Sequence, residues 1–412
     1  MVYLINITKE IFHHLRQYKT RTFMTMFGLI WGTITVILLL AFGTGLGKKL
    51  MVDMHGMGEG IAIVWPGSTS IPYKGYGRDR QIRLRAEDVE LIRREVPGLA
   101  AISPEFSSWN APVRRGNKVN TPNISGVLPE YAGMRNIGAQ PGGRWLNDLD
   151  IKNRRRVVFL GDKLKEFLFG NETDAVGQYV YVGDAPFQVI GVLIPKSQDS
   201  SYNSRDCDRA YIPYTTFTSI FGSKFVSNIV YQHKDPRHGK ANERKVYEVL
   251  AKKFTFDPND QETLGIWDTY ENEMFMVNFN TAFTVFMGII GAISLLVGGI
   301  GLANIMYVVV QERTKEIGIR RSIGAKKRHI MGQIFLETMI VIFSSALIGF
   351  FVSWGLIILL NMFPIQGAVG SPQLSIPVAV ITITILSLIG FTAGFFPARK
   401  ASNMDPVDCL RY

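Results

Sequence analysis

Three runs without a single charged side chain, residues 22–47, 274–311 and 338–398, divide this chain into membrane and non-membrane parts. Each is long enough to hold a helix crossing a hydrocarbon core of about 30 Å. The third holds two spans, separated by an uncharged turn that contains Pro364 and Pro372. The pattern predicts four transmembrane helices, at 22–47, 277–311, 329–361 and 376–396. One is N-terminal and three are C-terminal, with a large α+β extracytoplasmic domain (48–276) inserted between the first and second. Residues 1–21 place Leu4, Ile7, Ile11 and Leu15 at helical spacing. They read as an amphipathic helix on the membrane surface, or as a plain positively charged lead into an anchor. Ala41 and Gly43 have the small-x-small spacing of a signal-peptide cleavage site. The long charged lead and long apolar run favour a retained span.

Within 48–276 the periodicity is that of a folded domain, expected to have two lobes. Residues 86–95, 163–169 and 242–254 have helical spacing, while 157–160, 179–182 and 187–193 read as strands, the last two joined through Gly183, Asp184, Ala185 and Pro186. The uncharged stretch 274–311 would reach roughly 57 Å as one helix, longer than a bilayer needs, so a stalk projecting outward is expected. Its glycines permit close helix contact, or are simply tolerated as glycines are in membrane helices. Gly298, Gly299, Gly301 and Asn304 are the packing residues we select.

Charge supplies the topology. Of 45 basic and 34 acidic residues, 29 and 28 lie between 51 and 280, leaving 16 and 6 for the membrane flanks. That distribution argues against a nucleic-acid surface. Residues 312–328 hold seven basic side chains against Glu312 and Glu316. The positive-inside rule makes this loop cytoplasmic, so both termini are cytoplasmic and 362–375 is an external connection. Residues 397–412 form a cytoplasmic tail. Glu337 is the one acidic residue near a span interior, a functional candidate by default. It also lies close enough to the cytoplasmic end to snorkel or to pair with an Arg or Lys of the preceding loop.

No catalytic, cofactor or metal site is expected on the chain. Gly43, Gly45, Gly47 and Lys48 only superficially suggest a phosphate loop, because Phe42 and Lys49 stand where Gly and Ser or Thr are required. H-E-x-x-H, C-x-x-C and G-x-S-x-G are absent from the sequence. His233 and His238 lie in a polar stretch and are expected to be solvated. Cys207 and Cys409, on opposite sides of the predicted membrane, are expected to be structural thiols, with interchain pairing of Cys207 as the alternative.

Three stretches carry a family resemblance: I-S-L-L-V-G-G-I-G-L-A-N-I-M at 293–306, E-R-T-K-E-I-G-I-R-R-S-I-G-A-K-K at 312–327, and P-A-R-K-A-S-N-M-D-P-V-D-C-L-R-Y at 397–412. With their spacing around the spans, they resemble the membrane domain of MacB-type and FtsX-type ABC transporter permeases. V-V-F-L-G at 157–161, F-Q-V-I-G-V-L at 187–193 and Y-I-P-Y-T-T-F at 211–217 are similar to the MacB periplasmic core. The resemblance is weakest over 68–80 and 197–209. Ala303 stands where a bulkier apolar residue is common.

The resemblance implies an inner-membrane permease whose ATPase, with its ATP and Mg, is a separate polypeptide present in two copies. It also implies a second permease copy or a sister permease, with a periplasmic adaptor and an outer-membrane duct as further candidate partners. Glu312, Arg313, Glu316, Ile317, Gly318, Ile319, Arg320, Arg321 and Gly324 would form the ATPase-coupling helix, its apolar ridge of Ile317, Ile319 and Ile323 entering a groove of the ATPase. The plainer reading is a loop that only sets topology. Efflux or export of a drug, peptide or lipoprotein from the periplasmic side is the expected function. The alternative is a non-transporting, FtsX-like mechanotransmission protein that regulates an external enzyme such as a cell-wall hydrolase.

Overall fold

The computed structural model describes residues 19–171, 174–198, 201–363, 370–374 and 376–405. Residues 1–18 of the expected surface helix, Cys409 and half of the 362–375 connection lie outside these. The first half runs α1 (Lys19–His55), β1 (Ile61–Pro66), α2 (Ala86–Glu95), β2 (Leu99–Ser108), β3 (Val113–Arg115), β4 (Lys118–Asn120), β5 (Ile124–Val127), α3 (Tyr131–Met134), α4 (Asp148–Lys152), β6 (Val157–Leu160) and α5 (Asp162–Phe169). There follow β7 (Tyr179–Val182), β8 (Ala185–Val192), β9 (Ala210–Pro213), α6 (Tyr214–Phe221), β10 (Asn228–His233), α7 (Gly239–Phe254), β11 (Leu264–Asp268), α8 (Thr269–Glu312), α9 (Thr314–Ser322), α10 (Lys327–Asn361) and α11 (Ile376–Ser402). The chain separates into two units, Leu50–Met276 on one hand and Met1–Lys49 with Val277–Tyr412 on the other.

In the first unit all eleven strands form one sheet, in the order β11-β1-β10-β2-β5-β9-β6-β8-β7-β3-β4. The order passes through β2, which pairs with β10 over residues 99–105 and with β5 over residues 106–108. The pairs are antiparallel except β5 with β9 and β6 with β8. The sheet is covered on both faces, and the pleat explains how. Ala62 and Val64 of β1, with Val158 and Leu160 of β6, enter one apolar core. Their neighbours Ile61, Ile63, Val157 and Phe159 enter the other. At one edge β4 is three residues long and exposed, with Lys118 on it, which discourages further strand pairing.

A charged cluster lies inside this unit. Arg209 Nη1 donates to Glu105 Oε1 at 2.8 Å and Arg135 Nη2 to Asp206 Oδ1 at 2.7 Å, with all four side chains fully buried. Tyr202 donates to Glu105, Tyr211 to Asp206, and Asn228 to Glu105, at 2.6 to 2.7 Å. Lys196 Nζ sits 2.7 Å from Asp206 Oδ2. Burial works to raise the Glu105 and Asp206 pKa values, but the guanidinium and ammonium charges and hydrogen bonds beside them prevail and hold both low.

Histidine 233 corrects one expectation. It is buried, because a register shift in β10 between Gln232 and His233 turns the ring into the unit. Asn242 Nδ2 donates to its Nδ1 at 3.1 Å, and its Nε2 lies 3.3 Å from Asp268 Oδ2. Asp268 in turn accepts from the Tyr270 amide at the start of α8. Cys207 is half-buried, and burial, with Asp208 alongside, pushes its thiol up to about 11, as suits an unreactive cysteine.

Among the described residues, four helices are long and apolar enough to cross a membrane. Their exposed side chains include many large apolar ones, for example Phe286, Ile300, Phe351 and Leu388, as a lipid-facing surface requires. Three boundaries move. α1 continues past residue 47 to His55, and α8 is one helix of 44 residues beginning at Thr269. α11 passes through Pro397, expected to be its end, and stops at Ser402. Pro397 removes one backbone donor, a loss membrane helices accommodate. Beyond it Ala398 and Ala401 are fully buried and hold the extra turn in place.

Candidate functional site

Helix α8 ends at Glu312 and α9 begins two residues later, so only Arg313 separates them, with φ −92° and ψ 11°. The Arg313 amide still donates to the Val309 carbonyl and its carbonyl accepts from Ile317, which makes the junction a bend in a nearly continuous helix. At the far end, Gly324 takes φ +102°; its amide donates to Arg321 O and that of Ala325 to Arg320 O. This is a Schellman termination, and the left-handed backbone is why glycine stands at 324.

The nine residues expected to couple to an ATPase divide between two faces. Ile317 and Gly318 are buried, Ile317 within the apolar core of the membrane unit. Arg313 donates in a fork to Glu337 Oε2 and Oε1 of α10, at 2.9 and 3.3 Å. Arg320 bridges to Glu316 at 2.7 Å and donates to Gln333 at 2.9 Å. Arg321 Nη1 donates to the Ser402 and Met404 carbonyls, satisfying the C-terminal end of α11. These residues join α9 to α10 and α11. A cavity of about 20 Å³, room for a single water, remains among Met306, Arg313, Ile317, Arg320, Gln333 and Glu337.

The opposite face carries Glu312, Lys315, Ile319 and Ile323, all exposed, with Gly324 beyond. Ile323 is 82% exposed, more than any other large apolar side chain among the described residues. The expected single ridge of three isoleucines therefore does not exist: Ile317 lies on the inner face, Ile319 and Ile323 on the outer one. The spacing held that signal, since 319 and 323 are four apart on one helical face and 317 is not on it. Lys315 belongs to this face and was not selected from sequence.

The packing residues also divide. A Cβ added to Gly298 would lie 3.0 Å from the Gly28 carbonyl oxygen, so α8 and α1 meet backbone to backbone there. Gly299 lies against Ile389 of α11. Gly301 has open space around it and Asn304 is exposed, so neither packs within the chain as expected. Glu337 is buried and paired with Arg313, the structural role the sequence offered it.

Four helices long and apolar enough to cross a membrane, a short helix with Ile319 and Ile323 exposed among charged residues, and a sheet unit inserted between the first two spans are the parts of an integral membrane protein with an extramembrane domain. Residues 22–246 match the model of the MacB-like periplasmic core domain, and 288–406 that of the FtsX-like permease C-terminal region. The chain belongs to the MacB-like, FtsX-like family of ABC transporter permeases and is an inner-membrane protein with a periplasmic domain. It is 30% identical over 402 residues to the macrolide export ATP-binding/permease protein MacB of Bordetella avium, covering 96% of this chain and 58% of that protein. To MacB of Wolinella succinogenes it is 32% identical over 416 residues, covering 99% and 61%. The chain thus spans about three fifths of the length of these relatives. The crystal structure of the periplasmic region of MacB from Actinobacillus actinomycetemcomitans aligns with 56% of this chain and 98% of its own, at 22% identity and a TM-score of 0.43.

Proposed function

We propose that the chain is the membrane subunit of an ATP-driven exporter, moved by an ATP-hydrolysing partner polypeptide that docks on the outer face of α9. The observation that carries this reading is the exposed pair Ile319 and Ile323, set on a helix whose other face is committed to α10 and α11. An apolar pair flanked by charge at helical spacing suits a groove in a partner. ATP and Mg belong to that partner, with both termini of this chain on the same cytoplasmic side. Displacement of α9 acts on α8 through the bend at Arg313, and on α10 through the Arg313–Glu337 fork. The long α8 then works as a lever on a substrate handled outside the bilayer. Among the described residues of the four spans two carboxylates are buried: Asp53, near the end of α1, accepts from the Ser197 hydroxyl, and Glu337 is paired with Arg313.

Co-purification tests this directly. Ile323→Asp is expected to abolish recovery of the ATPase while the permease is made at normal levels. Ile317→Asp, which places a charge in the core, is expected to reduce the amount of folded permease itself. Normal ATPase recovery with Ile323→Asp would sink the docking assignment.

A further inference from the structure

Between β1 and α2 the chain makes a projection that nothing in the coupling scheme uses. Residues 68–81 form a hairpin, closed at its root by the bridge between Ser68 and Gln81 and at its tip by the pair Tyr73 and Tyr76. The tip is a two-residue turn with both central residues left-handed, Lys74 at φ +45° and Gly75 at φ +88°. Asp79 is left-handed too, at φ +60°. Two non-glycine residues in that region within six positions are strained, and such strain persists only where surrounding contacts impose it.

Those contacts are present. Asp260, itself buried, accepts from the Ser70 amide and hydroxyl and from the Ile71 amide, at 2.7 to 3.0 Å. Thr69 Oγ1 accepts from the Arg80 amide and donates to the Gly77 carbonyl, and Arg80 Nη2 donates to the Thr255 carbonyl at 2.7 Å. The projection is therefore a fixed shape.

What it presents is positive and aromatic. From 74 to 85 there are five cations, Lys74, Arg78, Arg80, Arg83 and Arg85, against Asp79 alone. Ile82 and Leu84 point into the core, so Arg83 and Arg85 both face out, over the ring of Phe225 at 5.0 and 5.7 Å. Arg80 lies over the half-exposed Tyr76 ring at 4.5 Å. Tyrosine and arginine held in place are the side chains that dominate protein interfaces, and the guanidinium fork matches a carboxylate.

We propose that this hairpin and the stretch behind it are a docking element for a protein that presents a carboxylate-rich surface to the extracytoplasmic domain. Binding to a bilayer needs only charge and apolar area, whereas the strained, rooted geometry here favours a partner of fixed shape. The element belongs wholly to the sheet unit, and its test does not pass through the ATPase, so either assignment can fail alone.

The test begins with the full chain in intact cells, a photo-crosslinking phenylalanine replacing Tyr76. A captured protein is then purified and titrated against the full-length permease in detergent. Affinity is expected to fall at least about tenfold with the combined charge reversal Lys74→Glu, Arg78→Glu and Arg83→Glu, and to fall with salt between roughly 50 and 300 mM. Asp260→Ala keeps every cation but frees the root, and is expected to weaken binding several-fold. Gly75→Val, which disturbs the tip alone, serves if Asp260→Ala does not fold. Three outcomes overturn the proposal: no protein adduct, a captured protein indifferent to the charge reversal, or lipid adducts with charge-dependent binding to phosphatidylglycerol vesicles instead.

Discussion

Arg135 and Arg209 are the largest side chains withdrawn completely from solvent, and each is matched to one carboxylate. Glu105 accepts from Arg209, Tyr202 and Asn228, and the Tyr202 ring lies against both guanidinium groups, at 5.0 and 5.5 Å. Removing one member leaves the other charge buried and unpaired, which costs about 3–5 kcal/mol. Arg209→Met should therefore lower the unfolding temperature of the full chain sharply, read by tryptophan fluorescence. Pairing it with Glu105→Gln should recover part of the loss, since no lone charge then remains. Equal destabilisation by the single and double variants would mean that the pair matters through packing alone. None of this was legible from sequence. Glu105, Arg135 and Arg209 are far apart along the chain, and no local spacing marks a charged residue as buried.

Among the elements, legibility followed the strength of the periodic signal. Ala86–Glu95, Val157–Leu160 and Tyr179–Val182 fall where their patterns predict. Errors arose where a local rule competes with packing. Pro397 is a local stop that the burial of Ala398 and Ala401 overrides, and Ile317 departs from the expected ridge because its face packs into the core of the membrane unit. Among the glycines, composition could not separate those that pack from those that do not. Gly298→Leu should force α8 away from the Gly28 backbone and destabilise the membrane unit by about 1–3 kcal/mol. Gly301→Leu, with nothing within 4 Å of the new Cβ, should be near neutral. Thermal unfolding of the two variants in detergent distinguishes them, and equal effects would remove the argument for a backbone contact.

At the scale of the molecule, the two units rest on different physics and should respond differently to acid. The membrane unit is held by apolar contact among α1, α8, α10 and α11, together with the Arg313–Glu337 fork. The sheet unit adds a charged cluster whose two carboxylates, Glu105 and Asp206, have folded pKa values below their ordinary ones, as do Asp150 and Asp260 elsewhere in the same unit. A carboxylate with a depressed pKa contributes stability that is fully present above its unfolded pKa, about 4, and is lost as pH falls from there through the folded value. Unfolding of the sheet unit should therefore vary little with these groups between pH 5 and pH 8, then become steeply easier below about pH 4. Asp206→Asn should start from lower stability, because Arg135 and Lys196 lose their charged partner. It should also show a shallower decline in acid, since one of the titrating carboxylates is gone. Limited proteolysis across a pH series, reading cleavage within 50–276 separately from cleavage in the helices, measures both slopes. A variant with lower stability but an unchanged acid slope would mean that Asp206 does not carry the linkage, and would shift the acid response onto Glu105 and the other carboxylates held low in this unit, Asp150, Asp235 and Asp260.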